Sequence, residues 1–379
     1  MDFNGNFPTE QDRAFEVNRE MANEFVKKHY GNLKSGKSHD FKSVKDAQEF
    51  LKDTDYIWVL KGYDEDARTV VPDSKDPELA ASQLLEVLEA EGKKYEKSGF
   101  VLEKKIIDPI ELTPQKVYYD GEPIYTNLDI EIKKFGAGDT GVMTGCAADL
   151  VFQTDMESEI NKLAFPEIVD QLAKKHKGLF VWDASLLIDP MDLEIYFGEF
   201  CPNRVGYNAF YNELAQCDSV NDYFEKIVEG KNPFKPFVYG ASVRFFNLHK
   251  DSEERRVLAD SKVEYKPEIE DDLWLMDVME DPDEKGELVT VGYSWDLGVI
   301  TSTGKKVEEA FENLFRKMGE LSFEGIYYRP LHDILSHEYA GAILNRLNHA
   351  IYSGLLDEPK VEEDEVDEIE PVVHKAEAK

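Results

Sequence analysis

Apolar positions recur at helical spacing in 14–29, AFEVNREMANEFVKKH, where Phe15, Met21, Phe25 and Val26 fall on one face and Gly31 follows as a stop. This predicts one amphipathic helix. Ser43 opens SVKDAQEFL, a cap residue ahead of acidic and apolar positions, and the β-rich run at 56–60 comes next. A capped helix feeding a strand that ends at Lys61 is expected. From Asp76 to Lys97 the chain is rich in Ala, Leu, Glu and Lys, with Leu79, Leu84, Leu85 and Leu88 as the apolar set, and it runs into a strand pattern at 99–103.

β-prone runs then replace the helical period. The stretch 113–132 holds Asp120-Gly121 between two β-prone runs, which predicts an antiparallel hairpin. A second hairpin is expected from runs at 179–188 and 193–197 around the turn Asp189-Pro-Met-Asp192. Between 228 and 290 the pattern is irregular and reads as a crossing to another unit. That unit is expected to hold a strand at 292–301, a helix at 306–321, a strand at 325–329 and a terminal helix at 336–353. No repeat of 20–50 residues stands out. The reading is α+β, divided into an extension at 1–13, a core at 14–230, a C-terminal α/β unit with its connection at 231–356, and a disordered acidic tail at 357–379.

Charge narrows the partners. The formal charge is −34, and the tail, with ten Asp and Glu against three Lys, leaves −27 on the body. A duplex or single strand needs a Lys/Arg surface to displace its counterions, so non-specific nucleic-acid binding is not expected. Cys146, Cys201 and Cys217 have no CxxC spacing or even-numbered framework, which fits a reducing cytoplasm. No run of about 18 apolar residues predicts a membrane span, and the polar, acidic start does not read as a signal peptide.

Candidate chemistry falls into four groups. Lys61, at the end of a strand, can present an ammonium to a phosphate; a solvated edge charge is the plain alternative. Glu103, Lys104 and Ile106 form a strand end and linker suited to an adenine edge, and Glu111 could accept two ribose hydroxyls; a charged sheet edge is the alternative. The segment 131–145, EIKKFGAGDTGVMTG, combines Lys133 and Lys134 with Asp139, Thr140, Gly141, Thr144 and Gly145, a composition suited to phosphate or carboxylate oxygens or to a flexible polar turn. Asp183, Glu199 and Asn203 offer the hard oxygen ligands that Mg²⁺ prefers, with Arg204 beside them for a phosphoryl group.

In this order the segments resemble the ATP-grasp enzymes, and among them the phosphoribosylamine–glycine ligase family. The stretch from Asn18 through Arg19 to Val26 resembles the family's opening SK-x-F-x-K-x-F-M helix, and Trp58-Val-Leu-Lys61-Gly62 its VVKADG strand. Residues 102–111 resemble its IEEFL adenine linker, and 131–145 its DHKR-x-x-DGDTGPNTGGMG stretch, with Met143 in place of Asn and Cys146 in place of Gly. Residues 199–206 resemble its EFNxRxG, with Asn203 four residues after Glu199 instead of two. Residues 297–310 and 323–329 resemble RVLGVTALG-x-x-LEEA and FDGxFYRRDIG.

The resemblance implies two α+β lobes clasping ATP, a small C-terminal α/β domain, and an ADP-forming carboxylate–amine ligase acting through an acyl phosphate. It implies ATP with Mg²⁺, or Mn²⁺ as its substitute, a glycine-like carboxylate with an amine, and a setting in purine biosynthesis. By position it assigns Arg19, Lys61, Glu103, Lys104, Ile106 and Glu111 to ATP, and Asp183, Glu199 and Asn203 to the metal. It assigns Asp139, Thr140, Gly141, Thr144 and Gly145 to substrate, and Arg204 and Lys133 to catalysis. The family opens with a domain of about a hundred residues, whereas thirteen residues precede the first matching helix here. The amine is therefore left open between phosphoribosylamine and another amine such as a modified nucleotide. A catalytically inactive nucleotide-binding homologue is the alternative, since the acids of 64–66 stand where the family covers phosphates with a glycine loop.

Overall fold

A computed structural model describes residues 9–31, 33–34, 36–63, 67–190, 193–203, 206–236, 238–247, 259–336 and 341–357. The predicted first helix is two helices, α1 (Glu10–Val17) and α2 (Arg19–His29). Asn18 separates them: its backbone leaves the helical region and its side chain accepts from the Met21 N–H, capping α2. Phe15 and Val26 are buried as expected.

A small lobe follows, with β1 (Ser38–Phe41), α3 (Val44–Leu51), β2 (Trp58–Gly62), α4 (Pro77–Ser98) and β3 (Phe100–Lys104). Its sheet is antiparallel in the order β1-β3-β2. Ser43 caps α3 as its position predicted, and Asp76 caps α4. Leu84 and Leu88 pack with Trp58, Leu60, Tyr95, Phe100 and Leu102 in a core of its own, each Leu contributing about 1.5–3 kcal/mol on burial. Leu79, expected in that set, lies 62% exposed in the first turn of α4.

The main body is a nine-stranded sheet. It uses β4 (Ile110–Tyr119), β5 (Glu122–Gly136), β6 (Thr140–Thr154), β7 (Leu179–Ile188) and β8 (Ile195–Phe200), with α5 (Glu159–Ala164) and α6 (Glu167–Ala173) between β6 and β7. Helices α7 (Tyr207–Ala215) and α8 (Val220–Val228) lead to β9 (Tyr239–Asn247), which pairs with β6. Four short strands come next: β10 (Lys262–Tyr265), β11 (Leu273–Leu275), β12 (Val278–Glu280) and β13 (Leu288–Thr290). Then come β14 (Asp296–Gly304), α9 (Val307–Met318), β15 (Leu321–Ser322), β16 (Ile326–Tyr327), α10 (Leu331–Ile334) and α11 (Ile343–Tyr352).

Strand order in the large sheet is β11-β14-β9-β6-β5-β4-β7-β8, with β16 added on β9. The sheet thus runs without a break across residue 230, where the pattern placed a change of unit. The cause is β9, inside the stretch read as irregular: eight of its nine residues are buried, and its sequence alternates Ala241, Val243 and Phe245 with Gly240, Ser242 and Arg244, a period of two that the irregular reading passed over. One face of this sheet is apolar and carries α1, α2, α5, α6, α9 and α11 in a single core. The other face is polar near its centre and is partly covered by α7 and α8.

Both predicted hairpins form. Asp120 and Gly121 have φ of 50° and 84° at the β4–β5 turn, the left-handed pair such a tight turn requires. The glycine-rich 131–145 segment differs from its expectation: most of it is strand, with β5 and β6 running to a tip at 137–139 and register shifts on the way. Arg204, the acids of 64–66 and the tail from 358 onward lie outside the described residues.

Candidate active site

Three charged side chains meet where the small lobe faces the body. Lys61 near the end of β2 and Glu103 near the end of β3 share one face of the small sheet, and Arg19, the first residue of α2, reaches them from the body. The Glu103 carboxylate accepts from Arg19 Nε at 2.8 Å and Nη2 at 3.1 Å, and from Lys61 Nζ at 2.5 Å. Arg19 also lies over the Phe197 ring, 5.4 Å from its centroid. Burial opposes ionisation of Glu103, but Lys61 and Arg19 outweigh it and bring its pKa down to about 2. Burial and then the Arg19 charge push the Lys61 pKa down, against the pull of Glu103.

The Glu103 side chain is therefore turned to the cations and away from the linker it was expected to serve. That linker borders a cavity of about 210 Å³ lined by Gly36, Lys37, Lys104, Lys105, Ile106, Asp189 and Tyr196. Two expected nucleotide residues, Lys104 and Ile106, line it together. The N–H groups of Lys104 and Lys105 already donate to the carbonyls of Lys37 and Ile57, and the Lys104 ammonium lies 4.7 Å from the Tyr56 ring centroid. A wider, shallower depression of about 490 Å³ near Ser261 and Phe323 is remote from these charges and holds none of the expected site residues.

A second charged cluster lies on the polar face of the large sheet. Lys133 Nζ is 2.8 Å from Glu111 Oε1 and 3.4 Å from Glu131 Oε2, and the Ser185 hydroxyl donates to the same Glu111 oxygen at 2.8 Å. Burial opposes the Lys133 charge, yet Glu111, Glu131 and Glu199 together hold its pKa well above the ordinary range. Glu111 is held low: burial works against the charge, and Lys133, Arg346 and Ser185 overcome it. Glu111 thus belongs to this cluster in the structure rather than standing free for ribose hydroxyls.

Of the three expected metal ligands the structure brings two near each other. Asp183 on β7 and Glu199 on β8 lie on adjacent strands, though Ser185, not Asp183, is directly opposite Glu199. Asp183 is buried and accepts from Gln115 Nε2 at 2.9 Å; burial and the nearby Glu131 charge push its pKa well up. Asn203 does not join them. Its backbone is left-handed, with φ of 54°, its Oδ1 accepts the Val181 N–H at 3.0 Å, and its own N–H donates to the Val181 carbonyl at 2.7 Å. The two extra residues after Glu199 carry Asn203 past the strand and fold it back on β7. Among the described residues no three His, Cys, Asp or Glu side chains gather as a metal site, so the residues as arranged do not fit a protein-held Mg²⁺ or Mn²⁺.

The expected substrate residues lie along the β5–β6 hairpin. Asp139 at the tip and Gly141 have φ of 58° and 78°. The Thr140 hydroxyl donates to the Ala137 carbonyl and the Thr144 hydroxyl to the Lys133 carbonyl, which ties Thr144 to the lysine cluster. Three arginines that were given no site role, one of them Arg329 at the end of the matched 323–329 stretch, secure the hairpin where its ladder slips. Arg329 is fully buried, donates to the Lys134 carbonyl at 2.9 Å, and pairs with Asp139 and Asp333, while Asp333 accepts the Gly138 N–H. Arg244 donates to the Thr144 carbonyl, next to Gly145, and pairs with Asp296; Arg346 donates to the Glu131 carbonyl. For Arg244 the available signal was a lone Arg inside the apolar run 243–246, since Arg is almost never buried without partners.

The fold carries a likeness that the sequence comparisons do not. No family model matches the chain, and no curated protein matches it. Among solved structures, phosphoribosylamine–glycine ligase from Thermotoga maritima superposes with a TM-score of 0.63 at 18% identity, covering 85% of this chain and 80% of that one. The biotin carboxylase domain of 2-oxoglutarate carboxylase from Hydrogenobacter thermophilus, crystallised with MgADP, ADP and bicarbonate, gives 0.54 at 14% identity over 90% of this chain and 74% of that one. Biotin carboxylase from Campylobacter jejuni gives 0.52 at 14% over 84% and 70%. The chain has the ATP-grasp fold.

The Arg19–Glu103–Lys61 group spans the cleft between the small lobe and the body, the cavity beside Lys104 and Ile106 adjoins the linker after β3, and Lys133 lies on the polar face of the large sheet.

Proposed function

We propose that the protein is an ATP-dependent ligase that joins a carboxylate to an amine, with the nucleotide in the cleft. One observation carries the reading: Arg19 and Lys61, from opposite sides of the cleft, converge on a single anion, Glu103. A carboxylate bound by two cations occupies the kind of place a phosphate oxygen takes, and phosphoryl transfer relies mainly on positioning and charge neutralisation of this sort.

On this reading the nucleotide phosphates replace Glu103 at Arg19 and Lys61, and the adenine enters the hinge cavity beside Lys104 and Ile106. The substrate carboxylate attacks the γ-phosphorus, the bond to the β-phosphate oxygen breaks, and ADP leaves. The amine then attacks the acyl carbon of the acyl phosphate, inorganic phosphate departs, and the amine proton passes to solvent. Lys133 on the sheet side, with the Thr144 end of the hairpin, faces the reacting groups, and Arg204 is assigned to the acyl phosphate. Glycine is the first carboxylate to try, and Mg²⁺ supplied with the nucleotide would add charge neutralisation. A second reading, a nucleotide-binding homologue without turnover, is favoured by the diversion of Asn203 from the acids.

Calorimetry with ATP tests the site. Lys61→Gln and Arg19→Gln should each weaken binding at least about tenfold, and unchanged affinity in both would remove the proposed phosphate site. Measuring ADP release over a panel of carboxylates and amines separates the two readings, because tight ATP binding with no release on any pair leaves the inactive homologue.

A further inference from the structure

Four aromatic rings gather where the β5–β6 hairpin meets β9, the start of β14 and β16. The Phe135 ring stacks on Tyr327 with 4.2 Å between centroids and packs against Trp295 at 5.2 Å and Phe246 at 5.3 Å, while Trp295 lies 4.9 Å from Phe246. Phe246 is fully buried, but Phe135, Trp295 and Tyr327 are only half-buried, and none of the four is part of the apolar cores. The period of two along a strand places them. Phe135 follows Lys133 by two residues on β5, and Phe246 follows Arg244 by two on β9, so the rings continue the polar face about 7 Å of strand beyond Lys133.

The charge beside this shelf is selective. Arg244 donates to the Thr144 carbonyl at 3.0 Å and pairs with Asp296 Oδ2 at 2.9 Å. The other oxygen, Asp296 Oδ1, is buried and has no hydrogen-bond partner among the described residues, although the Gly298 N–H lends the charge some support. Such an oxygen accepts an N–H and repels a second carboxylate. Half-exposed ring faces in turn favour a flat ring, offset-stacked or edge-on, over an aliphatic chain.

We propose that this shelf receives the amine substrate and that the amine carries a flat aromatic or heteroaromatic ring, packed on Trp295 and Tyr327 with its N–H groups drawn to Asp296 Oδ1. This rests on the ligase reading, in which Lys133 and the Thr144 end of the hairpin face the reacting groups; the Thr144 hydroxyl on the Lys133 carbonyl and Arg244 on the Thr144 carbonyl join the shelf to that place. A sugar-phosphate amine has no ring face to offer the shelf. A ring-bearing amine has both the face and the donor.

Saturation-transfer NMR of the nucleotide-free full chain tests this with tryptamine as the probe, hexylamine as its ringless counterpart and indole-3-propionate as its acid counterpart. The wild type should bind tryptamine at least about tenfold more tightly than either. Trp295→Leu and Tyr327→Leu keep apolar bulk against Phe135 but remove a flat face, and each should weaken tryptamine at least about fivefold. Asp296→Asn should narrow the preference for the amine over the acid. The acidic surface draws amines in all of these proteins alike, so the loss in the Leu variants reads the shelf alone. Where neither Leu variant folds by circular dichroism, the wild-type ranking decides. Equal affinity for tryptamine and hexylamine, or folded Leu variants that bind tryptamine as the wild type does, would overturn the proposal. ATP calorimetry keeps the two readings apart: ATP binding without a ring preference removes this inference alone, whereas ring binding without ATP binding removes the ligase reading and with it the shelf's role as a substrate site.

Discussion

Replacing Glu103 by Gln removes the one anion that holds Arg19 and Lys61 across the cleft. In the folded protein its pKa is about 2 against an ordinary 4.5, a difference of about 2.5, or about 3 kcal/mol favouring the charged folded form. Glu103 is 13% exposed, so solvent screening reduces this little. Because the folded value is depressed, the contribution is complete above pH 4.5 and is lost as pH falls toward 2. Glu103→Gln should therefore unfold in urea at lower concentration than wild type at pH 7, by up to about 3 kcal/mol, and the gap should narrow steadily below pH 4.5. The same substitution should tighten ATP binding by roughly tenfold, since the phosphates no longer displace a carboxylate. The two effects have opposite signs in one variant. Should Glu103→Gln weaken ATP as much as Lys61→Gln does, Glu103 is a nucleotide ligand rather than an occupant of the phosphate place. An unchanged urea midpoint at pH 7 would show that the pairing contributes nothing to stability.

Other changes follow from the same geometry. Asn203→Ala removes the acceptor for the Val181 N–H and should cost about 1–2 kcal/mol by urea denaturation while leaving ATP affinity unchanged; a matching loss of affinity would return Asn203 to the site. Arg329→Met leaves Asp333 buried without its cation and should cost about 3–5 kcal/mol, with faster amide exchange confined largely to the hairpin around 137–145; unchanged exchange there would rule out the latch. Glu213 is fully buried, and burial, opposed by hydrogen bonds from Tyr125, Asn127 and Tyr223, raises its pKa to about 7. The unfolded chain loses that proton near 4.5, so the folded state binds more protons between those values and stability should fall by about 3 kcal/mol as pH rises from 4.5 through 7. Urea titrations at pH 5, 6 and 7.5 check this, and Glu213→Gln should flatten the slope.

Much of the architecture was legible because local signals agreed with the fold. The cap at Ser43, the Asp120-Gly121 turn and the strand-like runs of β7 and β8 each rest on neighbouring residues in sequence. The failures came where long-range context decided. Asn18 splits an apolar face that is continuous in period, because its side chain caps the second half. At β9, by contrast, a local signal was passed over, since Ala241, Val243 and Phe245 alternate with Gly240, Ser242 and Arg244, and with it went the strand that joins β6 to β14. The candidate residues show the same division. Lys61, Glu103 and Arg19 do come together, as do Glu111 and Lys133, but which anion faces which cation depends on side-chain reach across 84 residues of chain in the first case. Spacing alone sends Asn203 to the acids. The chain's return to Val181 sends it elsewhere.

Both charged centres of the cleft are neutralised by the protein's own side chains, and they are neutralised in opposite senses. At the small lobe an acid, Glu103, stands between two cations where phosphates are proposed to bind; on the sheet a cation, Lys133, pairs with Glu111 and lies close to Glu131. An unpaired buried charge costs several kcal/mol, so these pairings stabilise both centres. Exchange at the first keeps the cost of opening small, because the arriving phosphates replace a charge of the same sign. The pairings also couple the two centres. Glu103, once released, is free to meet a cation, and Lys133, once released, is free to meet a phosphate. Entry of one charged partner therefore lowers the barrier for the other, so the double variant Glu103→Gln with Lys133→Met should show non-additive ATP binding relative to the single variants, with a coupling of about 0.5–3 kcal/mol. Strict additivity would mean that the two centres act independently.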